Sequence, residues 1–216
     1  MLLLVCVTLP ASAQEGRGLF VGALVGVSTL QADGQSVTSP SDAALSLYKP
    51  ENGLALNLFG GWHLAEYFSV HANWMWNRND LALVASTTAA PGGAFYEQHR
   101  RSHQSAIDVD GVIYFRRRDS AVRPYLGTGL LVFWFSSGEI VSATSRGLDP
   151  PQGEIASVHI GLRSHVGIDI ALAGRLRFRY SFSETISSNP ISPSLTPPGE
   201  RRLANFQNLF GIVREF

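Results

Sequence analysis

From Ser157 to Ser183 the chain reads SVHIGLRSHVGIDIALAGRLRFRYSFS, and along nearly all of it the side chains alternate in kind. Val158, Ile160, Leu162, Val166, Ile168 and Ile170 share one parity. His159, Gly161, Arg163, His165, Gly167 and Asp169 share the other. After Ala171-Leu172-Ala173-Gly174 the pattern resumes, with Leu176, Phe178, Tyr180 and Phe182 set against Arg175, Arg177, Arg179, Ser181 and Ser183. A period of two over such lengths means extended strands with unlike faces. Three arginines at successive alternate positions cannot line a dry core. They must face water or a polar interior, so the apolar face turns toward something else.

The same period recurs along the chain. Gly18 to Leu30, Asn52 to His63, Tyr67 to Asn77, His103 to Phe115, Val122 to Ser136 and Leu203 to Phe216 each alternate, and with the two halves of the long hairpin they make eight strands. The connections alternate long and short. Gln31 to Glu51, Asn79 to about Ser102, Ser137 to Gly153 and Ser187 to about Arg202 read as long polar loops, while the turns at Ala65-Glu66, Arg116 to Ser120 and Ala171 to Gly174 are tight. That rhythm places every long loop on one side of a sheet and every tight turn on the other.

Composition narrows the class. With 17 Lys and Arg against 17 Asp and Glu, no bulk charge invites nucleic acid. The single cysteine, Cys6, excludes a disulfide framework and a cysteine metal site. Met1 to Ala13, MLLLVCVTLPASA, has the apolar run and small-x-small end of an export signal, so residues 1–13 are expected to be cleaved and 14–216 to form one barrel domain. No later stretch is long and apolar enough for a membrane helix.

A soluble barrel would show the same period with its apolar face inward. Aromatics on the apolar parity argue for the opposite sense. Trp62, Phe68 and Phe115 fall near the tight turns, and Trp74, Trp76, Trp134, Phe182 and Phe206 toward the loops. Two girdles are what two membrane interfaces call for. The export signal, the Val122-Arg123-Pro124-Tyr125-Leu126-Gly127-Thr128-Gly129 run and the last strand ending in Phe216 resemble the OmpA-like/OmpW-like group of small outer-membrane β-barrels. The resemblance implies an all-β, eight-stranded antiparallel up-and-down transmembrane barrel in the bacterial outer membrane, with both termini periplasmic. It implies lipid and lipopolysaccharide as surroundings, and Phe216 as an assembly signal for the barrel-assembly machinery. Arg214 departs from the pattern, taking a position that is usually apolar.

By parity the lumen receives Asp108, Asp110, Arg163, Asp169, Arg175, Arg177, Arg179 and Glu215, joined by His63, His71, His159 and His165. Eight strands leave room for little beyond their own side chains, so these charges must pair. Asp169 is expected to meet Arg175 or Arg177, and Glu215 the arginines of the seventh strand. A structural polar plug follows, with a narrow channel for small or hydrophobic solutes as the alternative. Some small outer-membrane barrels modify lipid A, and a deacylase of that kind uses a membrane-facing His and Ser. Here the one candidate pair is His103 and Ser105, which share the lipid face. The Asn-Gly that follows the serine in that family is replaced by Ala106-Ile107. Histidine spacing suggests no metal, no cofactor is expected, and the loops name no ligand.

Overall fold

The computed structural model describes residues 18–31, 44–49, 51–87, 93–189 and 202–216. The proposed export signal and most of the fourth long loop lie outside them. The described residues form ten strands: β1 (Gly18–Gln31), β2 (Ala44–Lys49), β3 (Glu51–Ala65), β4 (Phe68–Thr87), β5 (Ala94–Tyr114), β6 (Val122–Ser137), β7 (Ile140–Arg146), β8 (Ile155–Ala171), β9 (Leu176–Ser188) and β10 (Arg202–Glu215). Eight of them close into an antiparallel ring in the order β4, β3, β1, β10, β9, β8, β6, β5 and back to β4. β1 against β10 is the closure, registered from Phe20 opposite Glu215 to Gln31 opposite Ala204. Closure removes the open edges that a sheet would otherwise present.

The two faces of the wall are as unlike as the alternation requires. Leu19, Val21, Leu58, Val109, Ile113, Leu130, Ile160, Phe210 and Ile212 are all exposed on the outside. Asn73, Asp108, Asp110, Arg123, Arg163, Asp169 and Arg179 are buried inside. The outward belt runs on β5 from Ile113 to Ser105 and on β8 from Ile170 to Val158. At about 3.3 Å per residue and a tilt of about 40°, such a belt stands roughly 25 Å tall, the height of a hydrocarbon core. Several of its polar members are hydrogen-bonded within the wall. Thr128 and Ser164 hydroxyls lie 3.3 Å apart, Thr128 donates to the Arg163 carbonyl, and Tyr180 donates to Asn208 Oδ1 at 2.9 Å.

Three of the expected loops contain more structure than their composition suggests. Asn79 to Ser102 is a continuation of the β4–β5 hairpin, with register unbroken from Asn79 opposite Ser102 to Thr87 opposite Ala94. Here the faces invert. Leu81, Leu83, Ala85 and Tyr96 point inward and are fully buried, while Asp80 and Arg101 face out. Above the lipid, water takes the outer face and the apolar residues must turn in. The first long loop holds β2, which extends the β4 edge, and the third holds β7, which extends β5.

Arg175 is the one expected lumen charge that the structure moves. It sits exposed in the tight turn between β8 and β9, where Leu172 N donates to Leu176 O and Gly174 takes φ +59°. Parity holds only along a strand, and the turn rotates this residue off the inner face. Asp169 therefore pairs with Arg179, directly opposite it in register.

Candidate functional site: the lumen

The interior fills in tiers, beginning at the tight-turn end. Glu215, the last residue of β10, accepts from Arg177 Nε at 2.9 Å and Arg118 Nε at 3.0 Å, with His63 Nε2 3.8 Å away. Arg118 belongs to the turn after β5. Arg177 also donates to the carbonyls of Ser120 and Arg118, so that turn folds across the opening. Arg123 lies 3.7 Å over the Tyr114 ring and donates to the Glu66 carbonyl at 2.8 Å. Parity alone does not reveal these turn contacts, because Arg118 lies in no strand.

The next tier is a bidentate pair. Arg179 donates from Nε to Asp169 Oδ1 at 2.6 Å and from Nη2 to Oδ2 at 2.7 Å, the fork geometry that carboxylates match best. Nη2 also reaches the Tyr114 hydroxyl at 2.9 Å, and the guanidinium stacks near Tyr125. Above it Arg163 serves two carboxylates, Asp108 at 3.1 Å and Asp110 at 3.4 Å. Asn73 donates to both. His165 Nε2 stands 3.0 Å from Asp110, and His71 Nδ1 3.6 Å from it. The Arg-Pro-Tyr-Leu-Gly-Thr-Gly run finds its role here. A Cβ on Gly127 would strike the His165 ring, and one on Gly129 the backbone of Val109 and Asp110. These two glycines clear space on β6 for the charged cluster.

Higher still, neutral amides meet across the barrel. Asn205 Nδ2 of β10 donates to Gln104 Oε1 of β5 at 2.8 Å. In the ring these two strands are diametrically opposite. Gln207 donates to Asn77 at 2.8 Å, and Ser28 to Asn205 at 2.6 Å. Beside and above this layer pack Leu30, Met75, Leu81, Phe133, Phe135 and Leu203, none exposed by more than 3%. At the mouth, buried Arg100 donates to the carbonyls of Ser137 (2.8 Å), Gly153 and Pro151. It thereby pins both ends of the 138–153 segment. One interior cavity, lined by Asn57, His71, Arg163, His165 and Arg179 among others, has about 10 Å³, room for roughly one water. His159, also inward, leaves Nε2 without a partner.

The His103 and Ser105 pair lies outside the wall. His103 stacks on Trp76 with ring centres 6.1 Å apart, and Ser105 lies in register between Trp76 and Trp134. The register partners of His103 are Arg78 and Ser136. The carboxylates around His103 are Asp80, two residues from Arg78 on the same face, and Glu154, whose Oε1 accepts from Ser136. No ion pair joins either to His103 among the described residues. Nor, among them, does any group of three His, Cys, Asp or Glu side chains form a metal site. Trp62, Phe68, Trp74, Phe115, Trp134, Phe182 and Phe216 are all exposed on the outer face, with Trp76 and Phe206 half-buried.

A closed ring of eight strands, an apolar outer belt and a polar interior define the fold of the small outer-membrane β-barrels. Solved structures share this fold. Neisserial surface protein A (NspA) superposes with a TM-score of 0.56 at 14% identity, over 94% of this chain and 100% of its own. The outer membrane protein OprG from Pseudomonas aeruginosa superposes with a TM-score of 0.53 at 13% identity, over 92% and 96%. No protein-family model and no curated protein matches the chain.

Proposed function

We propose that the chain resides in the bacterial outer membrane as a closed, plugged barrel with a structural or surface-interaction role and no enzyme activity. The observation that carries this reading is the Asn205–Gln104 bond. Side chains from opposite walls can bond directly only where no continuous water column separates them. The charged tiers below and the apolar cluster above close the lumen along the rest of its length. Buried charges cost several kcal/mol each unless paired, so a packed network of this kind serves register and rigidity.

In this reading both termini and the tight turns face the periplasm, residues 1–13 are removed on export, and the long β4–β5 hairpin with β2 and β7 stands outside the cell. Lipid and lipopolysaccharide surround the belt. Phe216, half-exposed beside the closure strand, with its N donating to the Leu19 carbonyl at 2.9 Å, supplies the signal for the barrel-assembly machinery. The test is expression of the full chain followed by fractionation and unboiled SDS gels. The protein is expected in the outer membrane, with a mobility that shifts on boiling, and protease added to intact cells is expected to cut within 80–101 or 138–153. A periplasmic protein without the shift would overturn the assignment.

A further inference from the structure

Arg214 and Arg175 are two arginines of the tight-turn rim that the lumen does not use. Arg214 occupies an outward position of β10, in line with Ile212, Phe210 and Phe206. Arg175 ends the β8–β9 turn, held by the bond from Glu215 N to its carbonyl at 2.9 Å. Leu176, the next residue, is the register partner of Arg214, so the two guanidinium-bearing residues are neighbours. Between them lies an open groove of about 370 Å³, lined by Ala173, Arg175, Leu176, Arg214, Glu215 and Phe216.

Three observations give this groove a ligand chemistry. First, both arginines are exposed and neither has an ion pair among the described residues, whereas Arg117, Arg118, Arg163, Arg177 and Arg179 each have one or more. Second, the one acidic side chain lining the groove is already taken. Glu215 belongs to the opposite face of β10 and is claimed by Arg177 and Arg118. Third, the rest of the lining is apolar and opens onto the belt, with Leu176 and Phe216 exposed and the Arg214 guanidinium 5.4 Å over the Phe216 ring. Two free guanidiniums ask for an anion with several acceptor oxygens, which phosphate supplies. The apolar floor asks that the anion carry hydrocarbon.

We propose that the groove between Arg175 and Arg214 binds the phosphate head group of one anionic phospholipid of the inner leaflet. Its chains lie along Leu176 and Phe216. This rests on the reading of the chain as a membrane barrel with its tight turns in the periplasm. The lipid would fix the depth of the rim and complete the belt where Arg214 interrupts it.

The experiment is native mass spectrometry of the folded full chain in detergent with added phosphatidylglycerol, each sample first checked for its heat-dependent gel shift. Wild type is expected to retain one lipid. The Arg175→Gln/Arg214→Gln double variant is expected to lose it by roughly tenfold or more in apparent affinity. Arg117→Gln, which removes a rim charge away from the groove, is expected to bind as wild type. Half-molar salt is expected to weaken the wild-type complex. A shifted wild-type chain that binds lipid no better than the double variant overturns the groove. Inorganic phosphate competing as well as the lipid overturns the lipid assignment. A wild-type chain without the gel shift overturns the barrel reading and the groove with it.

Discussion

Among single residues, Arg163 carries the largest burden. It is 1% exposed and faces two carboxylates that are equally buried. Arg163→Met leaves both without their guanidinium, and breaking a buried pair in this way costs about 3–5 kcal/mol. Urea unfolding of the barrel in lipid vesicles measures it. Adding Asp108→Asn and Asp110→Asn to that variant is expected to recover part of the loss, since the stranded charges are then gone. Equal stability of Arg163→Met and wild type would show that the cluster is solvated. On the outer wall, Ser105→Ala is expected to change nothing. Expression of the chain should leave the mass of lipid A unaltered, and a deacylated product lost in that variant would contradict the reading. Parity in the sequence was enough to place Asp108, Asp110, Arg163, Asp169, Arg177, Arg179 and Glu215 on one face. It misassigned Arg175, because alternation ends where a turn begins, and it was silent on Arg118 and Arg100, whose partners are carbonyls of distant turns.

At the scale of elements, the decisive feature is the β4–β5 hairpin, which changes solvent along its length. In its lower half Val109 and Ile113 are exposed, and in its upper half Leu81 and Leu83 are buried. The membrane reading gives these halves opposite sensitivities. Val109→Arg, near the middle of the belt, is expected to cost about 2–4 kcal/mol, and Ser136→Arg, at its upper border, about 0–1 kcal/mol. Vesicle unfolding curves separate the two, and equal costs would remove the bilayer from the account. The upper half was not legible as strand because its alternation is the mirror of the lower half. Leu81, Leu83 and Ala85 keep the period, but charged Asp80, Arg100 and Arg101 among Ser, Thr, Pro and Gly read as loop. Arg100 ties the same hairpin to the third connection. Arg100→Met is expected to free segment 138–153, and limited proteolysis of the folded protein should cut there several times faster than in wild type while the gel shift persists.

For the whole molecule, the belt and the lumen are two consequences of one alternation. Outward residues meet lipid, so inward residues must satisfy every charge inside a ring of eight strands. They do so between neighbouring strands, Arg179 with Asp169, past one intervening strand, Arg163 with Asp108 and Asp110, and across the lumen, through the amides of Gln104, Asn77, Asn205 and Gln207. The strand number, the sense of the faces and the charged lining were all readable in the sequence. The filling of the lumen was not, since it depends on which residues of non-adjacent strands stand at the same height. Planar-bilayer conductance of the refolded, heat-shifting protein tests that filling most directly. No current above background is expected from wild type, and none from Gln104→Ala combined with Asn205→Ala, because the charged tiers below and the apolar cluster above still close the lumen. Steady single-channel currents from the wild-type barrel would show an open pore and contradict the plug.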